Sequence, residues 1–307
     1  MSIPTVDSIL YGGKRAVVSD ASGIAAMLTN EEPEVEIVLN KSISGVSTFT
    51  VPEGKSVTLD LGGNTLSGNT VVYANGGEVT LKNGTISSSS AVKADPIQVV
   101  NGGKLTLDGA QVIGAKNNGI SASGEGSEVV INSGSVTAQE AGIYPASGAK
   151  LTINGGTISC IDNGGVMGNG TPGKGNTEIV MNGGRIEGHI TSAGYQACAV
   201  YLPNSGSFTM NGGEIVSDGA GIVMRGGQVN LNAGSVIANG PAGFVGKVGD
   251  SRVVVGSYAI VYDVDSKYPA MDTLELNIAD GVVLQGTDGD ISILPVNTTA
   301  NITDNRS

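Results

Sequence analysis

The chain has 307 residues, of which 49 are glycine, about 16 % against a usual ~7 %. It carries 16 Lys and Arg against 28 Asp and Glu, a formal charge of −12, which argues against nucleic acid or an anionic membrane as partner, since both reward a basic face. There is no Gly-X-Y period of collagen, hydrophobic residues at 39 % are too many for a disordered chain, and no apolar run approaches the ~20 residues of a membrane-spanning helix.

The first 18 residues read as an N-terminal arm. MSIPTVDSILYGGKR lacks the basic start, apolar stretch and small-residue cleavage site of a secretory signal, so the expected location is the cytoplasm or something assembled there. Ile3, Val6, Ile9 and Leu10 offer apolar anchors, Gly12-Gly13 reads as a flexible joint, and Lys14 and Arg15 are the arm's only positive charges. These features suit docking to an acidic partner; the alternative is an arm folded back over the first coil as an extra cap.

A capping helix is expected within residues 19–34. Ser19 or Asp20 can act as N-cap, and Ile24, Met27 and Leu28 share one face. Placed before the first coil, such a helix would plug the apolar end and shield strand edges.

From residue 35 to 296 the sequence is a repeat array. A short alternating strand recurs from Val57 (VTLDLGG), Val79, Leu105, Val129, Leu151 (LTINGG), Ile179 (IVMNGG), Phe208 (FTMNGG), Val229 and Leu274. The spacings are 22, 26, 24, 22, 28, 29, 21 and 45 residues, and the last is expected to hide a degraded coil within Ser251–Val264. Each repeat has three short segments with a period of two, the signature of strands with one apolar face. Three strands per 22–29 residues suit a three-sided coil better than a hairpin. After the first strand, Asn recurs at positions 132, 154, 182, 211, 232 and 277. Asn tolerates left-handed turns, and stacked amides can bond one another as a ladder.

These residues resemble the right-handed parallel β-helix family, pectate-lyase-like in architecture, and in texture the Gly/Asn-rich β-helices of phage virion surfaces and of gut-bacterial surface proteins. The expected fold is therefore all-β, a single-stranded right-handed parallel β-helix solenoid of about 12 coils, which at ~4.8 Å per strand spacing makes a rod about 55 Å long. A polar tail, 297–307, should follow, with Ile291–Asn297 as the last rung. With no catalytic constellation visible, the chain reads as a non-enzymatic structural or interaction protein, and the resemblance implies a virion component such as a capsid decoration protein, head fibre or spike, displayed on the virion surface and attached to other virion or surface proteins through the arm. It also brings a homotrimer into consideration.

Chemistry-bearing residues are sparse. Carboxylates on strands are Glu178, Glu187, Glu214 and Asp218, and a polysaccharide lyase or hydrolase would need two of them at a defined separation. Glu187 lies two residues further past its glycine corner than Glu214, so a shared face is not assured. The sole histidine, His189, lacks a triad motif around it. Cys160 and Cys198, 38 residues apart, lack zinc-site spacing and read as partly buried thiols. Thr287–Asp290 and Tyr262–Asp265 are short acidic turns rather than calcium loops. No cofactor, metal or catalytic set is expected. A glycan-binding adhesin is the alternative reading, with Tyr144, Tyr195 and Tyr201 as its face, because the coils that carry them have long loops.

Overall fold

The computed structural model describes residues 6–10, 13–190, 198–248, 252–264, 274–295 and 299–307. The chain winds into a parallel β-solenoid of about 11 turns. The first and second strands of successive coils form a 21-stranded sheet and the third strands a ten-stranded sheet. Strands pair in register with the preceding and following coil, as in Val57↔Val79 and Leu105↔Val129. Lys104–Gly114 and Glu128–Ala138 run unbroken around the corner between first and second strands.

Alternation decides the core. On Glu78–Lys82, Val79 and Leu81 point inward and are at most 3 % exposed, while Thr80 faces out. Repeated along the rod, this stacks Val, Ile and Leu into one continuous cluster from Ala16 to Leu284. Burying such a side chain contributes roughly 1.5–3 kcal/mol.

The corner after the first strand needs glycine. Gly134, Gly156, Gly184, Gly213 and Gly234 have φ between +79° and +101° and stack in one column. A Cβ on Gly156, Gly184, Gly213 or Gly234 would come within 2.6–2.7 Å of the carbonyl oxygen of the glycine one coil earlier. Both the left-handed backbone and the close coil spacing exclude a side chain there.

The capping helix spans Ala21–Thr29. Asp20 is its N-cap, and its carboxylate accepts from the Gly23 N–H at 2.9 Å. Ile24 and Met27 are buried, and Leu28 packs on the same end of the core. Lys55 reaches back from the next coil, donating to the Asn30 carbonyl at 3.1 Å and its side-chain oxygen at 2.8 Å. This satisfies a carbonyl that the helix end leaves unpaired.

The sheets extend beyond residues 35–296 at both ends. Arg15–Val18 pairs in parallel with Glu34–Leu39, and Val6–Leu10 pairs antiparallel with Arg15–Val18, turning at Gly13. Ala16 and Val18 are fully buried, so the arm's second half is part of the solenoid end. At the other end Asn301–Asp304 adds a parallel strand to Leu274–Ile278, and Ile302 packs on the core. Ala300 and Ile302, two residues apart, both pack on the core, so this part of the tail continues the ladder.

The expected degraded coil is also corrected. Gly227–Leu231 pairs directly with Leu274–Ile278, so the 45-residue spacing is a single coil. Its excess length includes an antiparallel hairpin, Val245–Val248 with Arg252–Val255, before the coil's third strand, Tyr258–Asp263. One coil fewer follows, about 11 against the 12 expected.

Candidate functional site

The side-chain ladder is the most regular polar feature. Asn154 donates to Asn132, Asn182 to Asn154 and Asn211 to Asn182, each at 2.9 Å, and Asn232 to Asn211 at 2.8 Å. Asn277 is not a member. It pairs in register with Asn230 and donates to that residue's amide oxygen at 3.0 Å. Inward Val229 and Leu231 stack on Leu276 and Ile278, so the coil is shifted by two residues relative to the motif alignment. Ala279 takes the corner position, its N–H bonded to the Leu231 carbonyl.

The carboxylates singled out above converge, Glu178 excepted. Arg185–Gly188 pairs with Glu214–Ser217 in the register Arg185↔Glu214 and Glu187↔Val216. Ile186, Gly188, Ile215 and Ser217 are buried, so Arg185, Glu187 and Glu214 all face outward. The two-residue offset between Glu187 and Glu214 preserves the face. Arg185 joins them: its Nε donates to Glu187 at 2.5 Å and its Nη1 to Glu214. His189 continues the network, with Nδ1 at 3.1 Å from Asp218 and Nε2 at 3.4 Å from Glu187. Glu178 lies on a first strand and pairs with Lys150 at 2.9 Å instead.

The electrostatics follow from these contacts. For Glu187, partial burial raises the pKa, but the Arg185 and His189 hydrogen bonds outweigh it and hold the carboxyl below its ordinary value. For His189, partial burial lowers the pKa, but hydrogen bonds to Asp218 and Glu187 together raise it above 6.5. Cys160 lies under this corner. Its sulfur accepts from the His189 N–H at 3.3 Å and the Asn163 N–H at 3.1 Å, and burial pushes its thiol up to about 11. The corner is therefore an ion-pair network over a protonated thiol. A general acid needs a raised carboxyl pKa and a thiolate nucleophile a lowered one; Glu187 and Cys160 are shifted the other way.

The tyrosines divide. Tyr144 and Tyr201 lie in one outward column of the ten-stranded sheet, with Met167 between them. Tyr144 is half-buried, and burial raises its pKa, with Asp95 adding to the shift. Tyr201 is only 2 % exposed and belongs to a second apolar cluster with Met167, Cys198, Ala220, Val223 and Val261, so it is no exposed platform. Tyr195 and Ile3 lie outside the described residues, and the side chains of Val6, Ile9 and Leu10 are likewise not described. Beside Tyr201 the motif reading missed a buried pair: Arg225 Nε donates to Asp263 at 2.8 Å, both side chains being 1 % exposed, and Nη1 donates to the Tyr201 hydroxyl at 2.8 Å. Arg225 directly follows the strand Ala220–Met224 and Asp263 ends the strand Tyr258–Asp263, both buried almost throughout; only tertiary cover distinguishes this pair from solvated charges.

Lys14 and Arg15 pair with Glu32 and Glu36 of the first coil, at 3.8 and 3.0 Å. Their charges serve the solenoid end. The acidic turns bind protein groups: Asp288 accepts from the Gly243 and Ser257 N–H groups, and Asp290 pairs with Arg306. Among the described residues no three His, Cys, Asp or Glu are grouped to hold a metal ion. Comparison with family models, curated proteins and solved structures finds no match to this chain.

Proposed function

We propose that the protein is a non-enzymatic structural and interaction rod. The observation that carries this reading is the use made of its most concentrated charged group: Glu187 and Glu214, the carboxylates placed to act as a pair, are tied to one another by Arg185. Retaining and inverting glycosidases alike need one such carboxyl protonated and free to approach substrate. The test is a turnover screen on neutral and acidic polysaccharides with the wild type, Glu187→Gln and Glu214→Gln. No turnover is expected; turnover abolished by either substitution overturns the reading.

Within that class the Gly/Asn-rich coils favour a component of a particle surface, as on a phage virion. Attachment is proposed at the N-terminal hairpin, whose strand Val6–Leu10 pairs on one side only among the described residues. Such an edge accepts a further strand from a partner. Deleting residues 1–10 removes the outer strand and leaves Arg15–Val18 in the sheet. Retained melting temperature with lost co-sedimentation on particles supports attachment there; a large drop in melting temperature assigns the strand to capping and refutes it.

A further inference from the structure

The outer face of the ten-stranded sheet changes character along the rod. From Met167 onward its outward column is buried in the second apolar cluster. Before that, successive coils present Tyr73, Gln98, Ser121 and Tyr144 in one register-aligned column, with Tyr144 packing against the edge of that cluster. All four are half-buried, and Asn75, which accepts from Asn101 at 2.7 Å, lies beside Tyr73 on the same face. One side chain per coil at ~4.8 Å puts the two rings about 14 Å apart with an amide and a hydroxyl between them. Among the described residues, the Gln98 amide and the Ser121 hydroxyl have no side-chain hydrogen-bond partner.

The four side chains are uncharged on a chain of net charge −12, and the Asp95 carboxylate that bears on Tyr144 is buried and accepts from Asn117 and Asn118. The corresponding column of the larger sheet alternates Glu78, Lys104, Glu128, Lys150 and Glu178, tied by pairs at 3.2 and 2.9 Å. Uncharged donors and acceptors between two partly exposed rings suit a ligand that is itself polar, uncharged and extended. Sugar rings meet both needs: their C–H faces pack on aromatic rings, and their hydroxyls both donate and accept.

We propose that Tyr73, Gln98, Ser121 and Tyr144 form a binding strip for a neutral oligosaccharide lying along the rod axis. The site is separate from the hairpin proposed for particle attachment, so either can fail alone. The probes are neutral hexasaccharides of glucose, galactose, mannose and N-acetylglucosamine, with hexagalacturonate as the acidic comparison, measured by calorimetry on the full chain. Binding of at least one neutral hexamer in preference to hexagalacturonate is expected. Tyr73→Ala and Tyr144→Ala should each weaken it about tenfold, roughly 1.4 kcal/mol. Tyr73 belongs to neither apolar cluster, so Tyr73→Ala should melt like the wild type, whereas Tyr144 packs on the second cluster, so the affinity of Tyr144→Ala is read at a temperature where circular dichroism shows it folded; Tyr73→Phe should retain most binding. Failure of every neutral hexamer, preference for the acidic one, or unchanged affinity in the double variant Tyr73→Ala/Tyr144→Ala overturns the proposal.

Discussion

Replacing Asn154 by alanine tests whether the ladder is cooperative architecture or decoration. Its amide nitrogen donates to Asn132 and its oxygen accepts from Asn182, both at 2.9 Å. Its backbone N–H is bonded to the Ile131 carbonyl and is untouched by the change. Two side-chain bonds at ~0.5–1.5 kcal/mol each give an expected loss of about 1–3 kcal/mol. The ladder is exposed, so water can replace the lost partner, which places the value toward the lower end. Asn132→Ala, at the ladder's end, removes one bond and should cost about half as much. Asn154→Ala and Asn182→Ala share a bond: each breaks two, but the double variant breaks three rather than four. It should therefore fall short of additivity by one bond, about 0.5–1.5 kcal/mol. Equilibrium urea unfolding of the four variants measures all of these. Equal costs for Asn132→Ala and Asn154→Ala, or strict additivity in the double variant, would refute the reasoning.

His189 is the only histidine, so its imidazole gives an isolated proton resonance. Its titration midpoint should lie above 6.5, and Asp218→Asn should lower it. Because the folded pKa is raised, the stability it supplies is fully present below ~6.5 and is lost as pH rises through the folded value; a midpoint at or below 6.5 contradicts the contact geometry. Asp263→Ala leaves the Arg225 guanidinium buried without that carboxylate and should cost about 3–5 kcal/mol in urea unfolding. A loss below 1 kcal/mol would mean that the pair is open to water. Cys160 and Cys198 are buried with raised pKa values, so neither should react with a thiol-specific disulfide reagent at pH 8 until the chain is unfolded. Rapid labelling of the native protein would show that this corner opens.

Much of this molecule was legible from period-two alternation and from glycine after each first strand. Those signals specify strands with one apolar face, and spacings of 21–29 residues allow three such strands per turn. The capping helix was equally local, set by Asp20 and by Ile24, Met27 and Leu28 on one face. What alternation leaves open is position, because a shift of two residues returns every side chain to the same face. Asn277 therefore matched the ladder motif yet sits beside Asn230, since stacking Leu276 and Ile278 on Val229 and Leu231 decides the register. By the same parity Glu187 and Glu214 share a face despite their offset, and Arg185 draws them together across two coils. Alternation is also blind to what covers an outward residue. Tyr144 and Tyr201 occupy one column, but one is half-exposed and the other lies in a second apolar cluster beside a buried Arg225–Asp263 pair. Nor could spacing tell a coil from an inserted hairpin, because strand propensity is the same whether a segment pairs with the coil before it or with itself. Local chemistry fixed the strands and the corners; contacts between coils fixed register, cover and the grouping of charges.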